Sequence, residues 1–153
     1  MDRMLRLLAP TAFLLALGAC GHHFEPPDPD QSERVAQAEV IYSAALFDTV
    51  TWNSDAGRAL EGNGVYAARC RRCHGSLGSG ATDYAEERGL DVPSLVESEW
   101  HLKDDLDSVR RYVFVGHEGG MPSWGLAGLS LREIDGAAYY VLAQLRPDVL
   151  EMD

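Results

Sequence analysis

The sequence is short of basic residues. Its 153 residues carry 13 Lys and Arg against 24 Asp and Glu, which gives a formal charge of −11 at pH 7. Because the phosphates of nucleic acid would repel so acidic a chain, nucleic acid is not expected as a partner. At this length and with ordinary apolar content, we expect one main folded domain with a single site.

The sequence also lacks an apolar run of the roughly twenty residues that a membrane-spanning helix needs. Its longest run, at 7–17, follows a short basic start at Arg3 and Arg6. This arrangement predicts a signal peptide over residues 1–19. The run ends in Leu-Gly-Ala-Cys, which resembles the lipobox of bacterial lipoproteins, so Cys20 is the predicted lipid attachment site. An ordinary signal peptide with an incidental cysteine is the alternative.

Residues 20–31 are rich in proline and charge, so we expect an extended, solvated tether. Its adjacent histidines, His22 and His23, lack the defined cage that a metal site needs. With the lipid anchor, this segment predicts an exported protein held on the periplasmic side of a bacterial membrane. By resemblance to known sorting rules, Gly21 favours the outer membrane weakly.

Apolar residues at helical spacing predict a helix over residues 32–47. Residues 32–56 are therefore assigned to an N-terminal helical extension, in which Trp52 anchors a turn-rich connection. The apolar stripe of this helix packs either on its own domain or on a partner protein. The main domain is assigned to residues 57–153.

Cysteine is scarce, and two of the three cysteines stand in Cys70-Arg71-Arg72-Cys73-His74. In c-type cytochromes, two thiols at this spacing attach to haem and the histidine that follows ligates the iron. The motif therefore predicts one covalently attached haem c, held by Cys70 and Cys73 and ligated by His74. A redox dithiol and half of a zinc site are the alternatives, although zinc would need further ligands.

Methionine is scarce as well, with four in the chain. Two precede the predicted cleavage site and Met152 lies beside the C-terminus, which leaves Met121 as the internal candidate for the second axial ligand. Two glycines precede Met121 and a proline follows it, a pattern that permits close backbone approach and stiffens the loop. His101 and His117 are rival ligands, and a plain packing role for Met121 is a third alternative.

These motifs resemble class I, His–Met ligated bacterial cytochromes c over residues 55–146. Members of that family have a glycine and an aromatic residue eight and four positions before the first haem cysteine, where Gly62 and Tyr66 stand. The resemblance implies that the N-terminal helix of the domain crosses closely over the C-terminal one. We expect Tyr139 and Tyr140 to lie nearest that crossing.

The resemblance implies further haem contacts. Pro93 lies in a stretch similar to the one whose proline carbonyl accepts a hydrogen bond from the haem histidine, or it is a loop proline without haem contact. Trp100 and Trp124 are candidate indole donors to haem propionates, or they are packing residues of the haem pocket.

No segment shows sustained period-two alternation, which disfavours a β-sheet domain. Helical spacing predicts a helix over 104–115 that leads into the methionine loop. It also predicts a last helix that opens with a capping box at Ser130 and Glu133 and ends at Pro147. The predicted fold class is all-α, with helices and long loops wrapped around one haem and an extra N-terminal helix.

A haem with both axial positions filled predicts transfer of single electrons, so neither enzymatic catalysis nor a small-molecule substrate is expected. The main prediction is a membrane-tethered periplasmic carrier that exchanges electrons with redox partner proteins. The alternative is a fixed cytochrome c subunit of a membrane-associated respiratory or dehydrogenase complex. Arg69, Arg71 and Arg72 are expected either to dock an acidic partner or to pair with propionates and acids such as Glu61.

Overall fold

The computed structural model describes residues 30–152, and helices build the fold within them. In chain order the α-helices of this range are α1 (Gln31–Ile41), α2 (Asp55–Val65), α3 (Arg71–His74), α4 (Asp83–Glu87), α5 (Leu106–Val115), α6 (Leu131–Tyr140) and α7 (Arg146–Leu150). A 3-10 helix, Ala44–Thr49, follows α1, and π-helical turns at Tyr66–Cys70 and Val141–Leu145 continue α2 and α6. The described range contains no strand, only an isolated bridge. The predicted all-α fold class is confirmed.

The predicted signal peptide, the lipid site at Cys20 and the tether up to residue 29 lie outside the described residues. The last two tether positions belong to the start of α1. Asp30 caps this helix by accepting a hydrogen bond from the Glu33 N–H, and Gln31 is its first residue. Between residues 30 and 152, none of the helices has the length and apolarity that crossing a bilayer requires.

The single helix predicted over residues 32–47 is divided in the structure. Helix α1 ends at Ile41, and the chain is extended at Tyr42 and Ser43 before the 3-10 helix. This break brings the Tyr42 ring to 5.5 Å from the Phe114 ring and 6.5 Å from the Phe47 ring, measured between centroids. Aromatic packing therefore decides where the helix ends. Since Ala38 of α1 is fully buried, the helix packs on its own domain.

Helices α2 and α6 cross where two glycines meet. A Cβ atom on Gly62 would lie 1.9 Å from the Gly136 carbonyl oxygen and 2.9 Å from the Tyr140 Cβ. The rings of Tyr66 and Tyr140 pack beside this point, with centroids 5.5 Å apart. The expected close crossing near Gly62, Tyr66 and Tyr140 is present, and it depends on Gly136 as well.

A buried charge network lies beside the crossing. Asp135 is fully buried and accepts hydrogen bonds from Arg58 (2.7 Å), Arg110 (2.8 Å) and the Trp52 indole (2.6 Å). Trp52 thus anchors its connection as predicted. The Arg58 guanidinium also lies 4.1 Å from the centroid of the Tyr139 ring. Tyr139 therefore contacts this network.

The last helix opens with the predicted capping box at Ser130, but it does not end at Pro147. In the π-helical turn Val141–Leu145, the Arg146 N–H donates to the Val141 carbonyl. This wider turn places Pro147 in the first turn of α7. A proline is tolerated there because the N–H it lacks has no acceptor within the helix.

Candidate functional site

A cavity of about 490 Å³ lies between the helices and the loops, within the size range of ligand sites. Its wall includes Ala137, Ala138 and Val141 of the last helix, together with the chain around α3 and the loop after α5. The structure brings to this one cavity all the predicted haem-contact residues: Cys70, Cys73, His74, Pro93, Trp100, Met121 and Trp124. The rival ligands His101 and His117 also line it.

The two-cysteine motif forms a tight turn after α2. Cys70 ends the π-helical turn, and Cys73 and His74 lie in α3. The turn closes at Gly75, whose φ of 79° favours glycine. The Tyr66 hydroxyl donates a hydrogen bond of 2.8 Å to the Gly75 carbonyl and so ties the end of the turn back to its start.

Thr82 holds the same turn from its other side and was not among the predicted residues. Its hydroxyl oxygen lies 3.1 Å from the Arg72 carbonyl and 3.2 Å from the Cys73 carbonyl. It also caps α4 by accepting a hydrogen bond from the Ala85 N–H. A threonine before a short helix is a recognisable cap in a sequence, but its two carbonyl partners are evident only in the folded structure.

His74, which lines the cavity, has a buried ring nitrogen without a hydrogen-bond partner among the described residues. This nitrogen is its Nδ1 atom. The bond expected from His74 to the Pro93 carbonyl is therefore not formed through this nitrogen, although both residues line the cavity. Burial lowers the pKa of His74, which favours the neutral imidazole that ligates metals. Such an orphaned group is uncommon inside proteins and calls for an explanation.

The two motif thiols are free and do not form a disulfide. Burial, with a smaller contribution from Cys73, raises the pKa of the Cys70 thiol to about 12. Redox dithiols work through a thiolate of lowered pKa in an electropositive environment. The environment of Cys70 has the opposite effect and disfavours the redox-dithiol alternative.

The loop that carries Met121 is a narrow turn. The His117 N–H donates to the Met121 carbonyl at 2.9 Å, and the Gly120 N–H donates to the His117 carbonyl at 3.1 Å. The imidazole Nδ1 of His117 accepts a hydrogen bond of 3.0 Å from the Gly119 N–H. A Cβ atom on Gly116 would lie 2.6 Å from the Met121 carbonyl oxygen. The turn therefore needs a glycine directly after α5.

Helix α1, which begins one residue before the predicted N-terminal extension, reaches this loop through Gln31. Its side-chain nitrogen lies 2.6 Å from the Met121 carbonyl oxygen and 3.1 Å from the His117 carbonyl oxygen. Gln31 was not predicted as a site residue. No local pattern in the sequence indicates a contact between residues separated by about 90 positions.

The two candidate tryptophans differ in burial. Trp100 is buried, and the Arg146 guanidinium lies 5.1 Å from the centroid of its ring. Trp124 is half-buried, and its backbone N–H, not its indole, donates to the Val113 carbonyl at 3.3 Å. Both side chains line the cavity, so their roles toward haem propionates stay predictions.

The donor set around the cavity fits a covalently attached haem. Two half-buried thiols, an imidazole with an unpartnered nitrogen and a half-buried thioether line a common space whose other walls are largely aliphatic and aromatic. Thiols attach a c-type haem, and imidazole and thioether are the axial ligands found in cytochromes c. The residues present therefore suit this group chemically.

Of the arginines in and beside the motif, Arg72 packs on Tyr84. The guanidinium groups of Arg72 and Arg88 each lie 3.8 Å from the centroid of the Tyr84 ring. Among the described residues, none of Arg69, Arg71 and Arg72 forms the expected ion pair with Glu61. Glu61 forms an ion pair of 3.1 Å with Arg132 instead, because α2 and α6 lie side by side.

Comparison with known proteins gives one family and several relatives. The model of the family described as cytochrome c oxidase, cbb3-type, subunit III matches residues 57–141. The cbb3-type cytochrome c oxidase subunit CcoP of Cereibacter sphaeroides is 32% identical over 87 residues, which cover 57% of this chain and 28% of the relative. A subunit of the same name from Rhodobacter capsulatus is 30% identical over 116 residues, which cover 67% of this chain and 37% of the relative.

This chain spans about a third of the length of the curated relatives it matches. The region matched by the family model contains the Cys70–His74 turn and the Met121 loop. No solved structure matches the chain significantly.

Proposed function

The chain belongs to the c-type cytochrome family of subunit III of cbb3-type cytochrome c oxidases, and we propose that it is an electron-transfer subunit fixed in a membrane-associated respiratory complex. The observation that carries the proposal is the cavity shared by Cys70, Cys73, His74 and Met121. The matched relatives are named as oxidase subunits, which favours the fixed subunit over the freely tethered carrier that was the main prediction from the sequence.

In this proposal Cys70 and Cys73 hold one haem c covalently, and His74 and Met121 are its axial ligands, as in class I cytochromes. The haem supplies a one-electron couple whose potential the thioether ligand raises. His74 is suited to its role because its burial favours the neutral imidazole. His117 is the weaker candidate, since one of its ring nitrogens already accepts the Gly119 N–H.

The other residues of the site keep these ligands in place and keep water out. Tyr66 and Thr82 hold the α3 turn through its carbonyl groups, so the imidazole and both thiols keep a fixed relation to one another. Trp100 and the last helix cover the cavity with apolar surface. A site held rigid in this way reorganises little when an electron arrives or leaves, which is what electron transfer requires.

Ligation by Met121 is tested by its replacement with alanine. We expect the oxidised Met121→Ala protein to lose the weak red charge-transfer band of ferric iron–thioether bonding, to have a lower potential and to bind added imidazole. The matched control is Met152→Ala, because Met152 is 65% exposed and remote in sequence from the loop. An unchanged oxidised spectrum of Met121→Ala would contradict ligation by Met121 and make His117 the first alternative.

We also propose that the chain is exported to the periplasm and anchored by lipid at Cys20. Mass spectrometry of the N-terminal peptide should find acyl chains on the natural protein and none on Cys20→Ser. An unmodified Cys20 peptide would contradict the anchor. The fixed-subunit proposal expects the protein to fractionate with the respiratory complex in the inner membrane, and separation of the two membranes tests this against the weak outer-membrane preference drawn from Gly21.

Attachment to a complex is tested with the same Cys20→Ser variant. A fixed subunit should stay with the membranes without its lipid and should co-purify in mild detergent with other oxidase subunits, as a large haem-stained band in native gels. Release of a folded, haem-loaded, monomeric protein into the soluble periplasmic fraction would instead support the tethered carrier and contradict the fixed subunit.

A further inference from the structure

We propose that Gln31 is a positioning residue for the axial methionine: its side-chain amide ties the base of the Met121 loop to the N-terminal extension and so holds the thioether at the iron. This inference rests on the proposed role of Met121 as a haem ligand. It also gives the N-terminal extension a function at the redox site.

The geometry suits an amide. The side-chain nitrogen of Gln31 lies 2.6 Å from the Met121 carbonyl oxygen and 3.1 Å from the His117 carbonyl oxygen. A primary amide has two N–H bonds and can give one to each carbonyl. The same two carbonyls already accept N–H groups within the turn, from His117 and Gly120. Gln31 therefore adds a second donor to each carbonyl of the pair that closes the loop.

Gln31 can hold the loop because α1 is itself held. Ala38 is fully buried, and an ion pair joins Glu39 of α1 to Arg111 of α5. After the helix, the Tyr42 hydroxyl donates to the Asp107 carbonyl at 3.4 Å. Helix α5 ends directly before the methionine loop, so α1 and α5 form one support from which Gln31 reaches across to the ligand residue.

The loop has little other support on its outer side. His117, Glu118, Gly119 and Gly120 are exposed, and two of these four residues are glycines without side chains. The contact from Gln31 acts on the backbone carbonyl of the ligand residue itself. Its loss should therefore allow the thioether to leave the iron more often, even where the rest of the fold stays intact.

The substitution Gln31→Glu can test the contact with the loop separately from any effect on the stability of α1. A carboxylate cannot donate to the two carbonyl oxygens and repels them. At the first turn of a helix, however, a negative charge is favoured by the helix dipole. The change Gln31→Glu should therefore break the contact without weakening α1. The matched control is Gln37→Glu, which makes the same charge change at an exposed position of the same helix.

The experiment uses the full-length, haem-loaded protein in the ferric state, titrated with imidazole. Because Gln31→Glu removes both hydrogen bonds from the amide to the loop, and the net contribution of such bonds is modest, we expect it to bind imidazole about fivefold more tightly than the natural protein. Its red charge-transfer band should disappear at lower imidazole concentration, and its melting temperature should change little. Gln37→Glu should bind imidazole like the natural protein. Equal imidazole affinity in the two glutamate variants would overturn the positioning role.

Met121→Ala distinguishes failure of this inference from failure of the proposed function. If that variant loses the band while Gln31→Glu titrates like the natural protein, Met121 is the ligand and Gln31 does not position it. If Met121→Ala keeps the natural spectrum, the proposed ligation fails and the positioning role fails with it. A fall in melting temperature of Gln31→Glu without tighter imidazole binding would make Gln31 a structural residue only.

Discussion

The α2–α6 crossing and the cavity share α6 but are completed in different ways. At the crossing, protein atoms fill the space: Gly62 lies directly against Gly136, and beside it the buried Asp135 accepts hydrogen bonds from three side chains. At the cavity, about 490 Å³ lies between side chains, and the buried Nδ1 of His74 has no partner among the described residues. Protein side chains and backbone alone complete the packing of the first region, whereas the second region has the features of a site that binds a prosthetic group.

This difference separates two kinds of substitution. Changes at the crossing should lower the free energy of unfolding and leave the spectrum of the loaded protein unaltered, because the crossing contains no haem ligand. Changes at the cavity should alter haem attachment or ligation first. A crossing variant with an altered haem spectrum, or a cavity variant that only lost stability, would contradict this distinction.

The largest effect is expected for His74→Ala. In the proposed site the motif without this imidazole would lack an axial ligand, so we expect no covalently attached haem, measured by haem staining of denaturing gels. His101→Ala is the matched control, because His101 lines the same cavity and is exposed. It should retain its haem. A normally stained His74→Ala protein would show that another residue fills this position.

Gly62→Ala should cause the largest loss of stability at the crossing. Its Cβ would lie 1.9 Å from the Gly136 carbonyl oxygen, so the two helices must separate. We expect a loss of about 3 kcal/mol in the free energy of unfolding, measured by denaturant titration of the loaded protein. Gly64→Ala, on the same helix with nothing within 4 Å, should be stabilising by about 0.5–1 kcal/mol. Equal effects of the two changes would contradict the close crossing.

Asp135→Asn tests the charge network. Removing one partner of a buried ion pair usually costs about 3–5 kcal/mol. Because the Arg58 and Arg110 side chains keep 13% and 18% exposure, we expect a smaller loss, about 2–3 kcal/mol. The exposed Asp48→Asn serves as the control and should change the free energy of unfolding by less than about 0.5 kcal/mol.

The difference in stability between the natural protein and Asp135→Asn should depend on pH. Burial raises the pKa of Asp135, but hydrogen bonds from Arg58, Arg110 and Trp52 outweigh it and hold the pKa below its ordinary value of 3.8. A lowered folded-state pKa means that this stabilisation is present above pH 3.8 and is lost as the pH falls through the folded value. The natural protein and Asp135→Asn should therefore approach each other in stability below that pH. A difference that stays constant under acid conditions would remove ionised Asp135 as its cause.

The smallest effect is expected for an exposed charge of the two-cysteine motif. Arg71 is exposed between Cys70 and Cys73, whereas Arg72 packs on Tyr84, so Arg71→Gln is the cleaner test of docking. Loss of this one charge should slow electron transfer to the native partner about twofold at low salt. The difference should vanish at about 1 M salt, where the screening length is about 3 Å. Arg132→Gln, which removes a charge paired with Glu61, is the control, and equal slowing by both variants would reject local docking.

Local patterns in the sequence determined much of this protein. The two-cysteine motif and the capping box at Ser130 each consist of residues that are close along the chain, and such patterns can be interpreted without coordinates. The scarcity of internal methionine is likewise evident from the sequence. The all-α class and the approximate positions of α5 and α6 followed from apolar periodicity for the same reason, whereas α2 was expected only from the family resemblance. Gly62 and Tyr66 were found through the family pattern that surrounds the motif.

Only the tertiary structure decided which distant residues meet. The division of the N-terminal helix depends on aromatic packing around Tyr42, and the continuation of the last helix past Pro147 depends on a π-helical turn. Asp135 and Gln31 bind partners 25 to 90 positions away. Such contacts carry no local periodicity, because they arise when the chain folds back on itself to bury its core and satisfy its buried polar groups.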